Sequence, residues 1–340
     1  MRPGIAKLLV LAFAFWTGAA TAQGQLNMIC SVQLPWCEAV ANRFQKETGI
    51  KVSLTQKSAG EAMAQVAAER TNPKVDIWYT GPRDPHLQAA EMGLSEEYKS
   101  PMLPQLHDWA VRQAEQSRYR TVGVYTGALG IGYNPELLAK KKLPPPKCWA
   151  DLANPIYRDE VQIANPNASG TAYATLATFV QVFGEDKAFE LLKGMHKNTN
   201  SYPRNGVGPI RAVGRGETGI GVTFLHDGAT EIANGFPVKL VVPCEGTGYE
   251  IGSMSIIKGA RNLDSAKKFY DWALTPEAQR IGGETGNFQT PSNKSVLPPP
   301  NAPKLDEIKL ISYDFAKYGS AAERKRLLEK WDREVASMPR

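Results

Sequence analysis

Thr218-Gly-Ile-Gly-Val-Thr-Phe-Leu-His-Asp-Gly228 begins as a strand and ends on a histidine, a carboxylate and a glycine, ahead of a helix-like run from Ala229 to Asn234. A strand handing over to a helix is the repeating unit of an open α/β fold. In such folds the side chains at the carboxyl end of a strand face the binding crevice. His226 and Asp227 are therefore candidate grip residues for a small molecule. Just downstream, Cys244-Glu-Gly-Thr-Gly-Tyr-Glu-Ile-Gly-Ser253 supplies a second carboxylate, Glu250, in an extended run.

The flanking chain repeats the same alternation. Leu26 to Cys30 reads as a strand, and after Pro35 a helix is expected from Cys37 to Thr48. That helix has Cys37, Val40, Ala41 and Phe44 on one face and Gly49 as its stop. Ile50, Val52 and Leu54 alternate as a second strand, Ser58 opens a helix, and Val75 to Thr80 is a third strand. This β-α-β-α-β order predicts a parallel sheet with helical crossovers. Tyr119 to Tyr133 lacks helical spacing and reads as extended chain passing into a second lobe. There a strand (Glu160 to Ala164), two helices (Ser169 to Phe183, Asp186 to Met195) and two strands (Thr218 to Phe224, Val238 to Val242) follow. Tyr249 to Ile257 is extended and returns to the first lobe, followed by helices Asp264 to Leu274, Glu277 to Gly283 and a charged C-terminal helix. The expectation is an α/β protein with a first lobe from 23–125, a second from 126–248 and a return over 249–340. Two crossover strands would form a hinge, and a cleft would close on a ligand between the lobes.

Composition bounds the function. The first residues carry Arg2 and Lys7, an apolar run Leu8 to Phe15 and Ala20-Thr-Ala22, the pattern of a cleaved secretory signal peptide over 1–22. The apolar run is short of the roughly 20 residues that span a bilayer. The chain is 42% hydrophobic and 22% charged, with a net charge of +6 that falls by two when the signal leaves. Apart from Lys140-Lys-Lys142 it has no basic run, so no nucleic-acid partner is expected. Four cysteines in an exported chain favour disulfides, and three pairings are open. Cys30 and Cys37 flank a short loop, which favours that pair, with Cys148–Cys244 as the other. Their spacing and four scattered histidines argue against a metal site.

Several short motifs carry candidate chemistry. Ser58-x-x-Glu61 is a capping box, and the helix amino end it caps also favours an anion. Asn167-Ala-Ser-Gly-Thr171 joins strand to helix with small residues and hydroxyls, so Ser169, Gly170 and Thr171 leave the backbone open to an oxyanion. Arg204 is a candidate bidentate phosphate clamp. Trp36 and Trp78 fall near strand ends in the first lobe and are candidates for stacking on a sugar face. Gly214-Arg-Gly-Glu-Thr-Gly219 has dinucleotide spacing but the wrong context, a helix before it and a strand after. No cofactor is expected. Nucleophile-elbow, zinc-protease and P-loop signatures are absent from the sequence, so no catalytic residue is assigned.

Gly130-Ile-Gly-Tyr-Asn-Pro135, Lys147-Cys-Trp-Ala-Asp-Leu152, Asn165-Pro-Asn-Ala-Ser-Gly-Thr171, Gly246-Thr-Gly-Tyr-Glu250 and Ala266-Lys-Lys-Phe-Tyr-Asp-Trp-Ala273 occur in that order. Together they resemble the ferric-type family of periplasmic solute-binding proteins that serve ABC importers. The resemblance implies a type II two-lobed fold, a periplasmic location and a monomer that binds a small anionic ligand. Its partners would be an inner-membrane ABC permease and that permease's ATPase. Ferric members hold iron mainly with two adjacent tyrosines where this chain has Leu225-His-Asp227, and a hard ferric ion wants phenolate and carboxylate oxygens. The His-Asp pair instead resembles the hexose-phosphate-binding branch. That branch implies sugar contacts for His226, Asp227 and Glu250 and phosphate contacts for Ser58 and Ser169 to Thr171. The alternatives are a phosphonate or aminophosphonate, ferric iron, and, from another class, an exported phosphatase using His226 and Asp227.

Overall fold

A computed structural model describes residues 24–340; the proposed signal peptide lies outside the described residues. Ten strands follow in chain order: β1 (Gln25–Cys30), β2 (Lys51–Gln56), β3 (Ile77–Pro82), β4 (Val122–Tyr133), β5 (Val161–Gln162), β6 (Thr199–Ser201), β7 (Ile220–Phe224), β8 (Lys239–Val241), β9 (Tyr249–Ile256) and β10 (Thr290–Pro291). They form a mixed sheet in the order β2-β1-β3-β9-β4-β7-β5-β6, with β10 and β8 also paired to β4. β1 runs parallel to β2 and β3, as strand-helix alternation demands, whereas β9 and β4 enter antiparallel.

β4 is the pivot. Its first part, Val122–Ala128, pairs with β9 and touches β10, while Leu129–Tyr133 pairs with β7 and, at its end, with β8. A single twelve-residue strand thus belongs to two half-sheets, each with its own core. Around the first half, Leu26, Val40, Phe44, Tyr79, Met254 and Phe269 pack on one face, and Ile29, Ala62, Val66 and Trp78 on the other. Leu129, Trp149, Phe179, Phe189 and Val222 fill the second. Both faces of the central strands are covered, which explains their continuous apolar runs.

Three elements depart from the sequence reading. The first helix, Leu34–Thr48, starts three residues early because Pro35 occupies its first turn, where a missing N–H costs nothing. The helix after β7 begins at Leu225, so His226 and Asp227 lie in its first turn rather than at the strand end. An acidic residue there suits the positive end of the helix. Finally, the chain crosses between halves three times. After β10 it returns to the second core, where Tyr313, Phe315, Tyr318, Leu327, Trp331 and Val335 are buried. The expected return to the first lobe thus holds past Pro291, where Ser292 and Asn293 still bond to first-half elements, whereas the C-terminal segment from Tyr313 completes the second core.

The disulfides are Cys30–Cys37 and Cys148–Cys244, the latter closing a loop with a sequence separation of 96. Loop-closure entropy assigns a cross-link of that span about 4–5 kcal/mol. The double variant Cys148→Ala/Cys244→Ala is expected to lose about 4 kcal/mol of unfolding free energy in urea titrations. An unchanged midpoint would contradict this role for the bridge.

Candidate functional site

A cleft of about 580 Å³ lies between the halves, walled by the β1–helix loop, the amino end of the helix Ala59–Ala68, the amino end of the helix Gly170–Phe183 and the start of the helix Leu225–Ala233. His226, Asp227 and Glu250 meet on its floor, 2%, 4% and 3% exposed. The register sets this meeting. Gly127 of β4 pairs with Glu250 of β9, and His226 presses onto Gly127 so closely that a Cβ there would stand 2.1 Å from Nδ1. His226 Nε2 faces Glu250 Oε1 at 3.4 Å and Asp227 Oδ1 at 3.8 Å, and its ring stacks on Phe224.

Burial decides the protonation of this trio. Desolvation pulls the His226 imidazole down to about 3, so it is neutral. Desolvation also pushes the Asp227 carboxyl up to about 7, against the opposing pull of Gln33 and Arg211. Glu250 is raised well above the usual carboxylate range by desolvation, reinforced by the charges of Asp227 and Asp84. A neutral carboxyl both donates and accepts a hydrogen bond, as a neutral imidazole does. The floor therefore offers two-way hydrogen-bonding groups at His226 and Glu250, with Asp227 poised between acid and carboxylate near neutral pH. Glu250 Oε2 and His226 Nδ1 are buried without a protein partner. His86 makes the contrast: equally buried, it is satisfied on both ring nitrogens by Ser255 and Thr80.

The rim is different. Ser58 caps its helix through the reciprocal box with Glu61, and its hydroxyl lies 2.8 Å from Glu61 Oε2 and 2.9 Å from Ala168 O. Gly60 approaches that same carbonyl so tightly that a Cβ would come within 2.4 Å. Ser169 caps the opposing helix, accepting from the Ala172 N–H. Gly170 and Thr171 line the cleft beside it. Two helix amino ends from opposite halves thus converge with their positive potential, joined by the Gly60 N–H, which donates to Ala168 O at 3.2 Å. Lys57, Arg204 and Arg211 add cationic side chains. Arg204 is not a free clamp: it is largely exposed, and its guanidinium grips Glu61 Oε1 across the cleft at 2.8 and 2.5 Å.

The two tryptophans need correction. Trp78 is wholly buried, stacked on His86 at 3.9 Å with its indole N–H donating to Ser31, and it does not line the cleft. Trp36 lines a separate cavity of about 360 Å³ in the first half and packs on Tyr79 and Tyr125. Both rings are absorbed by core packing. The aromatics that reach the cleft are Phe224 and Tyr125, the latter meeting His226 edge-on at 6.1 Å. Sequence reading also missed Gln33, whose amide donates to Asp227 Oδ1 from the other half. Its only signal was its place in the loop following a strand.

Residues 72–318 match the bacterial extracellular solute-binding protein family. The solved structure of the periplasmic binding protein AfuA from Actinobacillus pleuropneumoniae, with exogenous fructose-6-phosphate bound, is 44% identical. It superposes with a TM-score of 0.91 over 93% of this chain and 100% of that one. The structure of the periplasmic binding protein P5PA is 37% identical, with a TM-score of 0.89 over 92% of this chain and 99% of that one. An uncharacterized protein of Haemophilus influenzae is 44% identical over 97% of this chain and 96% of its own length.

The raised Asp227 carboxyl makes a testable claim. A folded-state value of about 7 against 3.8 unfolded means that the native state holds a proton the unfolded chain releases. Asp227 thus favours folding below pH 4 and loses that contribution as pH rises to 7. Relative to Asp227→Asn, the ligand-free wild type should lose about 1.4 kcal/mol of stability per pH unit over that interval. Urea unfolding of both proteins at several pH values reads it, and parallel profiles would refute it.

Proposed function

We propose a function from the premise that this chain belongs to the bacterial extracellular solute-binding protein family, to which residues 72–318 match. It is a solute-binding protein rather than an enzyme, and its ligand is a sugar phosphate such as a hexose 6-phosphate. The observation that carries this reading is the cleft's polarity. One end has two converging helix amino ends with Lys57; the other has a buried His226-Asp227-Glu250 floor in which desolvation opposes charge. The first suits a phosphate, whose charge the amides and cations offset without a bound metal. The second suits hydroxyls, each of which must both give and take a hydrogen bond. The fructose-6-phosphate in the AfuA structure, at 44% identity, supports the same chemistry.

In this scheme the backbone at Gly170 and Thr171, beside the Ser169 cap and opposite the Ser58 helix end, holds the phosphate, while His226, Asp227 and Glu250 hold the sugar and Tyr125 offers its ring. The contact between Gln33 and Asp227 and that between Arg204 and Glu61 join the halves around the ligand. An aminophosphonate fits less well. Its ammonium would require a fully ionised Asp227 or Glu250, which desolvation at both carboxyls opposes. The protein is exported to the periplasm through the 1–22 signal and hands its ligand to an inner-membrane ABC permease.

Calorimetric titration of the ligand-stripped mature protein tests the reading. Fructose or glucose 6-phosphate should bind, and be recovered intact, while the free hexose binds at least about a hundredfold more weakly for want of the charge-assisted phosphate contacts. Asp227→Ala should abolish hexose-phosphate binding while leaving the fold intact by circular dichroism. Equal affinity for hexose and hexose phosphate would overturn the two-ended cleft.

A further inference from the structure

A cavity of about 760 Å³ lies where the helix Arg83–Glu91 and the turn Ser117–Arg120 of the first half meet Phe315 to Ser320, part of the terminal segment that enters the second core. It shares no lining residue with the cleft. Three arginines line it, Arg83, Arg118 and Arg120, against one carboxylate, Glu91. That carboxylate is engaged: its Oε2 accepts the Ala321 N–H at 2.7 Å, at the start of the helix Ala321–Trp331. The cavity wall is therefore cationic, and its single acid is turned to another partner.

Arg83 is the informative residue. It is 5% exposed, its guanidinium lies 4.4 Å over the Phe315 ring, and Nη2 donates to Gln116 Oε1 at 2.6 Å. Its Nε is buried with no hydrogen-bond partner. Burial pulls the group down to about 10, so it stays charged at neutral pH. A buried, charged and incompletely bonded guanidinium is costly unless something compensates it. Asp84 offsets this charge in part, but it is fully buried, raised by that burial, and one of its oxygens takes the Tyr313 hydroxyl. Arg118 and Tyr119 add a second, independent feature. Both are non-glycine residues in the left-handed region, at φ 54° and 58°, so the turn holds Arg118 exposed beside the cavity at a backbone cost. Arg120 is steadied by donating to Ser95 O at 2.6 Å and faces the exposed Glu97 carboxylate at 3.9 Å.

We infer that this cavity is a second ligand site, for a small multivalent oxyanion, with Arg83, Arg118 and Arg120 as its cationic wall. Planar guanidinium groups meet phosphate-like oxygens through paired N–H donors, which selects an oxyanion over a halide. Its walls come from segments of both halves, so an anion there would touch the seam without entering the cleft.

Equilibrium dialysis of the mature protein against radiolabelled inorganic pyrophosphate, with fructose-6-phosphate affinity measured separately, tests the site. Arg118→Gly removes the charge while suiting the left-handed turn, and should weaken pyrophosphate binding about tenfold, the usual worth of one charged hydrogen bond. Arg120→Gln should weaken it similarly, whereas Arg118→Lys keeps the charge but loses the paired donors and should fall between Arg118→Gly and the wild type. With the cleft saturated by fructose-6-phosphate, this binding should stay in place. The inference is overturned if the wild type binds no pyrophosphate at millimolar concentration, or if Arg118→Gly and Arg120→Gln both bind it as the wild type does.

Discussion

The contact on which the rest depends is the seating of the His226 imidazole against the bare backbone of Gly127. β4 must pass from one half-sheet to the other at this point, and β9 must run beside it with Glu250 opposite Gly127. Any side chain at 127 would push the imidazole away from Glu250 and Asp227. Because the crossing lies at the centre of the molecule, the three polar groups gathered there are stripped of water. Their protonation then follows from desolvation, which is the leading cause for all three. Topology thus decides electrostatics here before any ligand arrives.

The opposite end of the cleft relies on backbone. Helices of ten and fourteen residues, one from each half, point their amino ends at one another, and their caps, Ser58 and Ser169, are satisfied internally. What these ends present to the cleft is the remaining amides and the dipole, which need no titratable group. Charge recognition at the rim and hydroxyl recognition on the floor are therefore separate devices, assembled from different physics within one cavity.

Much of this was legible in the sequence because it rests on local signals. Strand alternation, the Gly49 stop and the Ser58-Glu61 capping box each announce themselves within a few residues, and the pairing of Cys30 with its near neighbour Cys37 follows the same logic. His226, Asp227 and Glu250 were visible as polar residues beside buried apolar runs. What escaped depends on distance. Gln33 acquires its partner 194 residues away. Trp78 looked available because it ends an apolar run, yet helices on that face of β3 bury it completely. The early start of the helix at Leu225 was hidden by Gly228, which reads as a breaker but lies inside the helix against Leu240. The terminal segment was misplaced because amphipathic spacing shows that a helix needs a core without saying which one.

That last element bears on how such a molecule can change over evolutionary time. The first half is built from the beginning of the chain plus β9 and β10, and the second from the middle plus the final apolar residues up to Val335. Neither half is a contiguous stretch of sequence. A single recombination event cannot exchange one lobe intact, because each cut strands part of a core on the wrong side. Truncation from the carboxyl end would open the second half while sparing the first. New ligand preferences are accordingly more accessible through point changes on the cleft walls than through the shuffling of whole lobes.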